Sequence, residues 1–220
     1  MDSSFETRGA GLRARQKQER ERRILKAAEQ LFARKGFAGV AMEDVAARAG
    51  LAVGTLYNYF PSKLALLLAI LRRETESLLA RGQKILDAPG RDPVATVFAF
   101  TEIFLDDFMR EDRGLWREIF GAAIAEPAVV GRRLFEADTQ LVTQLATLLD
   151  RYRSGGVLEA DIESTAAALV LYSVCFTWMT AYLMNDETSA EMVRDEIRRG
   201  VAIAMRGVFP RGGRVSRAEL

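Results

Sequence analysis

The residues from Thr55 to Lys63 place a hydroxyl, two phenols (Tyr57 and Tyr59), a carboxamide (Asn58) and an ammonium within nine positions, with no acidic residue among them. Groups of this kind donate hydrogen bonds; they do not by themselves make a nucleophile. Tyr57 and Tyr59 stand two apart, so on a helix they face different sides, and at least one of them meets solvent or a partner. Lys63, taken alone, reads as a solvated lysine. What is missing narrows the chemistry further. The 220 residues include no histidine and a single cysteine, Cys175. This removes the commonest general base, the commonest zinc ligand and every Ser–His or Cys–His pair. Any metal site would have to be built from carboxylates alone. No catalytic residue, metal ligand or cofactor is assigned.

Charge is unevenly spread. Residues 1–70 carry 12 Lys/Arg and 7 Asp/Glu, whereas residues 71–220 carry 19 and 23. A basic N-terminal third on a slightly acidic remainder is the footprint expected if only that third meets phosphates. With 49% hydrophobic and 28% charged residues, the chain should fold as a globule. The lone cysteine and the polar first 23 residues, without an apolar leader segment, fit a cytoplasmic setting.

The elements that must hold these donors are helical. Residues 1–17 lack apolar periodicity and read as a flexible basic arm. From Arg22 the spacing of Ile24, Ala28, Leu31 and Phe32 predicts a helix that ends at Gly36, with Phe37 folding back. Met42–Ala49 reads as a short helix, Gly50-Leu51-Ala52 as a tight turn and Val53–Tyr59 as a second short helix. Pro61 reads as the first residue of a long helix, buried through Leu64, Leu67, Leu68 and Leu71. Asp92-Pro93 caps and starts another. Trp116–Ile124 and Leu134–Tyr152 follow, the latter stopping at Gly155-Gly156. The last two helices run from about Asp161 to Met184 and from near Asp186, where Thr188 and Glu191 have capping-box spacing. With no strand pattern and no repeat, the fold class is all-α with about nine helices.

The uncharged run 164–185 is long enough to cross a bilayer. It contains Ser164, Thr165, Ser173, Thr177 and Thr180, and acidic residues rather than Lys/Arg flank it. A helix buried in protein on nearly all sides is the expectation, with no membrane partner.

The stretch from Arg22 to Leu71 therefore reads as helix, short helix, tight turn, short helix, long helix. This is the geometry by which a helix-turn-helix lays its second helix in the major groove while the first crosses the backbone. Its sequence resembles the TetR family. The matching positions are Leu31-Phe32, Gly36-Phe37, Asp44-Val45-Ala46, Ala49-Gly50-Leu51, the run Gly54 to Phe60, and Ser62-Lys63, without a gap. The resemblance implies a helix-turn-helix DNA-binding domain over 18–78, with the motif at about 41–60. It also implies a helical effector-binding and dimerisation domain over 79–210, followed here by a disordered tail, 211–220.

Residue by residue, the resemblance puts Thr55, Tyr59 and Lys63 on DNA phosphates. Asn58 goes on phosphate or a base, and Tyr57 where the recognition helix reaches DNA. Ala52, Val53 and Gly54 fall at the end that approaches base edges. Two positions depart from the family. Ala41 stands at the first short helix's N-cap and Ala52 in the turn, both where a hydroxyl is usual; Ala52 and Val53 offer methyl groups to thymine instead.

For the remaining chain the resemblance implies a homodimer on palindromic operator DNA and a small-molecule effector. Candidate dimer residues are Ala166, Val170, Ile197, Val201, Ala204, Met205 and Val208. Candidate pocket residues are Phe98, Phe104, Phe108, Trp116, Phe120, Phe176 and Trp178. No unpaired charge stands out within these apolar stripes, which points to a mainly apolar effector. The function implied is that of a ligand-released transcriptional repressor. Two other readings stay open on sequence alone: a helical adaptor that does not bind DNA, and a helical enzyme acting on a small apolar substrate.

Overall fold

The computed structural model describes residues 3–110, 113–156, 158 and 161–206. Among them are nine α-helices and no strand. These are α1 (Ser3–Lys35), α2 (Met42–Ala49), α3 (Val53–Tyr59), α4 (Lys63–Asp87), α5 (Pro93–Arg110), α6 (Arg113–Ala125), α7 (Arg132–Ser154), α8 (Ser164–Met184) and α9 (Ala190–Arg206). A π-helical turn at Pro127–Gly131 leads directly into α7.

The chain divides into two compact units, and not by a single cut near residue 78. The first takes the chain as far as Glu76 together with Glu111–Phe135, which holds α6 and the start of α7. The second takes Ser77–Arg110 and the chain from Glu136 onward. The core of the first unit explains the excursion. Ile24, Ala28 and Phe32 of α1 pack with Val45 and Ala46 of α2, Leu56 of α3 and Leu66, Leu67, Ile70 and Leu71 of α4. Leu115 and Ile119 of α6 complete the same cluster, and Trp116 and Leu134 rest on it.

The short helices have the expected bounds because their ends are chemically marked. Gly36 (φ 73°) ends α1, and the Phe37 ring lies 5.3 Å from Phe32. Gly50 (φ 66°) ends α2, where the Leu51 N–H reaches the Ala46 carbonyl at 2.9 Å, a left-handed close that favours glycine. Asp92 caps α5, its Oδ1 accepting from the amides of Val94 (2.9 Å) and Ala95 (3.1 Å).

Several boundaries differ from the sequence expectation. α1 reaches back to Ser3, through the segment read as an arm. Arg, Lys, Gln and Glu crowd residues 13–23, and once a helix is nucleated such residues extend it without burial. α4 starts at Lys63, not Pro61: the Ser62 hydroxyl accepts the Ala65 N–H at 3.1 Å and so caps the helix two residues later. Its buried face is Leu66, Leu67, Ile70 and Leu71, with Leu64 and Leu68 only half-buried. α8 starts at Ser164, capped by Glu163, whose carboxylate accepts from Thr165 (2.9 Å) and Ala166 (2.6 Å). α9 starts at Ala190 with Ser189 as its cap, accepting from Met192 at 3.1 Å, so the Thr188–Glu191 spacing is not used. The tail 211–220 lies outside the described residues.

α8 is the one described helix long and apolar enough to cross a membrane. It is not buried on nearly all sides. Ala168, Leu171, Cys175, Met179 and Leu183 form a buried stripe at helical spacing, while Leu169, Val170, Phe176 and Met184 are exposed.

Candidate nucleic-acid interface

α3 is anchored by one side and open on the other. Leu56 is 0% exposed and Phe60 is buried just beyond the helix end, so these two hold α3 on the core. Ala52, Gly54, Tyr57 (46% exposed) and Asn58 face solvent, while Val53, Thr55 and Tyr59 are half-buried. Tyr57 is thus the tyrosine that points outward, and Tyr59 lies against the core. A Cβ placed on Gly54 would meet nothing within 4 Å, so the protein itself does not require glycine there. α3 carries no charged residue, and any attraction for a polyanion must come from its neighbours.

Most neighbouring cations are already engaged. Arg22 pairs with Glu19 at 2.6 Å, Arg48 donates to Gln30 at 2.6 Å, Arg23 donates to the Ala49 carbonyl, and Arg73 pairs with Glu29 and Glu74. These residues line a groove across α1 and α2 that also includes Lys26 and Arg34.

Lys63 is more tightly held than its sequence position suggests. Its ammonium donates to the carbonyls of Phe37 (2.8 Å) and Ala38 (3.3 Å) and lies 4.9 Å from the centre of the Phe37 ring. Two of its three hydrogens are spent on tying α4 to the α1–α2 connection, leaving one for an outside oxygen. Sequence reasoning missed this, because nothing in the spacing of residues 37 and 63 announces it.

Ala41 is exposed and stands at the N-cap of α2 without a capping hydroxyl. Asp44 reaches back instead: its carboxylate accepts the Ala41 N–H at 3.3 Å and faces Lys35 at 3.4 Å. The backbone hydrogen bond first, and Lys35 second, hold the Asp44 carboxyl below its ordinary pKa.

Residues 24–70, the part of the chain that builds this arrangement, match the sequence profile of the bacterial regulatory proteins of the tetR family. The HTH-type transcriptional repressor KstR of Rhodococcus jostii is 49% identical over 76 residues, 34% of this chain. That match spans only about a third (34%) of KstR's own length. The HTH-type transcriptional activator FasR of Mycolicibacterium smegmatis is 31% identical over 159 residues, 71% of this chain and 69% of FasR. The chain belongs to the TetR family. Its fold also matches that of Thermus thermophilus FadR, a TetR-family repressor solved with lauroyl-CoA. The TM-score is 0.63 and the identity 24%, over 87% of this chain and 96% of that one.

The second unit of this TetR-family chain encloses a small apolar cavity between α5, α7 and α8. Phe100, Phe104, Leu141, Leu145, Leu171 and Tyr172 are among its walls, and its free space is about 20 Å³, room for roughly one water. Of the seven aromatics expected to line a pocket, Phe104 stands on the wall of this cavity. Phe108 is core, edge-on to Tyr182 at 6.1 Å. Phe98 and Trp178 are half-buried away from the cavity, and Phe176 is 39% exposed, stacked on Tyr172 at 6.0 Å. Trp116 and Phe120 belong to the first unit, where α6 packs. An aromatic stripe marks an apolar face but does not say what covers it.

One polar group in this unit escaped the sequence reading. Asp138 sits four residues after Leu134 and three before Leu141, at the buried face of α7. Its carboxyl is pushed up to about 6 by burial, and its hydrogen bond from the Tyr172 hydroxyl only partly offsets this. Burial first, and the Asp138 carboxylate second, push the Tyr172 phenol far above its ordinary range. The signal was available: 134, 138, 141 and 145 make one continuous helical stripe.

The expected dimer residues divide. Ala166 and Val170 are exposed, and Ala204 and Met205 are half-buried. Ile197 and Val201 are 0% exposed and belong to the core of their own chain. Gly200 is also used internally, since a Cβ there would lie 2.5 Å from Val174. α9 thus packs its inner face on α8 and α5 of its own chain. Val208 lies outside the described residues. The apolar groups left outside are Leu169, Phe176 and Met184 (81% exposed) on α8 and Met192 and Ile203 on α9. Among the described residues no cluster of acidic or cysteine side chains could hold a metal ion.

Proposed function

We propose that this chain is a DNA-binding transcriptional repressor. Two copies grip a palindromic operator through α3 and release it when a small, mainly apolar effector enters the second unit. The observation that carries this reading is the outer face of α3. Its exposed residues are held out by Leu56 and Phe60, contribute nothing to the core, and offer donors, methyl groups and one bare backbone position.

In this reading Ala52 and Val53 touch thymine methyls, and Gly54 lets the backbone come close to a base edge. Tyr57 and Asn58 contact bases or phosphate. Thr55, Tyr59 and the remaining ammonium hydrogen of Lys63 hold phosphates, with Ala41 near the backbone at the start of α2. Lys26 and Arg34 supply long-range attraction.

A palindrome read by a two-fold dimer needs recognition helices about 34–36 Å apart or a multiple of that. The exposed apolar face of α8, with Ala166 and Val170, is the surface proposed to pair with a second copy, in the cytoplasm. Replacing both Val170 and Phe176 by Glu is expected to give a folded monomer by sedimentation, with operator affinity lost. A dimer that survives this change would move the interface elsewhere.

The effector cavity is supported by its apolar walls, and the same fold in Thermus FadR was solved with lauroyl-CoA. α4 runs unbroken from Lys63 to Asp87, so a shift of its far end is carried to the α3 anchor. A ligand displaces the operator only by preferring the state that DNA does not select.

The test is footprinting on DNA flanking the chain's own gene, repeated over a salt series. A protected palindrome and a steep fall of affinity with salt are expected; absence of any protected site would overturn the reading. A second reading, activation, is favoured by FasR, which matches over 71% of the chain and is an activator. A reporter behind the footprinted promoter distinguishes them: deleting the chain raises transcription for a repressor and lowers it for an activator.

A further inference from the structure

Two adjoining hollows of about 560 and 510 Å³ run along the first unit between α1 and α2, and Arg22, Lys26, Gln30 and Arg48 stand on the walls of both. Their size is that of small-ligand sites, but their walls are cationic where such sites are mostly apolar. The cations fall into two groups. Arg22 spends its Nε and Nη2 on Glu19, and Arg73 is paired with Glu29 and Glu74. Lys26, Arg34 and Arg48 are exposed and have no acidic partner among the described residues. Lys26, Gln30 and Arg34 follow at four-residue spacing and so form one stripe of α1, about 12 Å long. Arg48 reaches this stripe from α2, its Nε and Nη2 donating to the Gln30 Oε1 at 3.0 and 2.6 Å. The amide fixes the plane of the guanidinium without cancelling its charge, and three of its five hydrogens stay free. A glutamate at this position would tie α1 to α2 as well and would consume the charge, as Glu19 and Glu29 do for Arg22 and Arg73.

We infer that this groove binds phosphate oxyanions, with Arg48 as the oriented donor and Lys26 and Arg34 flanking it. A planar guanidinium fork with further cations beside it suits a group that offers several charged oxygens at once. Two sources carry that chemistry: the backbone of the operator and a free phosphorylated small molecule. The operator source rests on the DNA-binding reading of this unit. α3 is itself uncharged and Lys63 keeps one hydrogen, so the salt-dependent part of DNA affinity has to come from cations elsewhere in the unit. Ala49 and Gly50, which lead into the turn before α3, are also walls of the groove. Phosphates of one strand follow at about 3.4 Å along a duplex axis, so the α1 stripe is long enough for more than one.

Two variants of the full chain test the groove against a third that serves as control. Gln30→Glu keeps a partner for Arg48 but neutralises it, so its thermal midpoint should not fall. Lys26→Gln with Arg34→Gln removes the flanking cations. Lys84→Gln with Arg91→Gln makes the same change of charge in the second unit. Each is measured on the footprinted duplex and a scrambled one over a salt series, and by calorimetric titration with inorganic tripolyphosphate at low salt. If operator phosphates fill the groove, both groove variants weaken both duplexes about tenfold, and the double variant lowers the salt slope by about 2, while the control changes neither. If a free phosphorylated molecule is the ligand, wild type takes up one tripolyphosphate per chain, both groove variants bind it at least about tenfold more weakly, and the DNA salt slope is unchanged. Groove variants that match the control with both probes overturn the inference and leave a solvated basic face. A wild type that binds no duplex removes the DNA-binding reading instead, and the tripolyphosphate titration then decides the groove alone.

Discussion

The two units place their distinctive residues in opposite ways. In the first, Gly54, Tyr57 and Asn58 sit on a surface that the core does not need, and Leu56 and Phe60 do the holding. In the second, Asp138 and Tyr172 are half-buried, and burial raises the Asp138 carboxyl above its ordinary pKa. A surface that acts on a large external partner can be laid over a finished core. A site that swallows a small molecule has to be cut into the core and destabilises it.

That contrast can be broken at four points. The largest effect is expected at the anchor. Leu56→Ala removes a fully buried side chain and should lower unfolding free energy by about 2–5 kcal/mol in a urea titration, with operator binding lost as α3 loosens. A variant that keeps both would mean that α3 is held by something other than Leu56.

Asp138→Asn should act in the opposite direction. The folded carboxyl titrates at about 6 against an ordinary 3.8. Between these values the unfolded chain has released a proton that the folded chain still holds, so the residue's contribution to stability falls as pH rises and the full penalty is present above pH 6. Asparagine cannot ionise. It should stabilise the protein by about 1–3 kcal/mol at pH 8 and by little at pH 4, measured as thermal midpoints at both. An equal gain at the two pH values would remove the burial argument.

Lys63→Ala joins both roles of that side chain. Loss of its carbonyl contacts should cost about 1–2 kcal/mol, and affinity for all DNA sequences should fall together. Unchanged stability would show the contacts to Phe37 and Ala38 to be idle. The smallest effect on stability is expected at Gly54→Ala: no loss, or a gain of up to about 0.5 kcal/mol from helix propensity. Operator affinity should nonetheless fall by about tenfold, since a methyl now stands at the closest approach to the groove. Equal affinity would mean that no backbone comes near DNA there.

The sequence was most readable where a local rule set the structure. The bounds of α2 and α3 followed from Gly36, Gly50 and the spacing of Val45, Ala46 and Leu56, all of which act over a few residues. The interior of the second unit was less readable, because helical periodicity reports that a face is covered and not by what. Ile197 and Val201 fitted an interface between copies as well as an interior, and the structure makes them interior. Trp116 looked like a pocket wall and packs on the core of the first unit. Asp138 was legible in principle, since it interrupts an apolar stripe, but its partner Tyr172 lies on another helix. Lys63 shows the same limit, with its position read correctly and its carbonyl partners invisible.

α6 has a practical consequence for anyone wishing to transplant the front end of this protein. Leu115 and Ile119 lie inside the cluster built by α1 to α4, so a graft that stops at Glu76 would carry an open wound of apolar surface and should aggregate. A working hybrid would have to exchange two separate stretches of chain, the second ending near Phe135. Swapping by gene segment is therefore harder here than a two-part layout suggests.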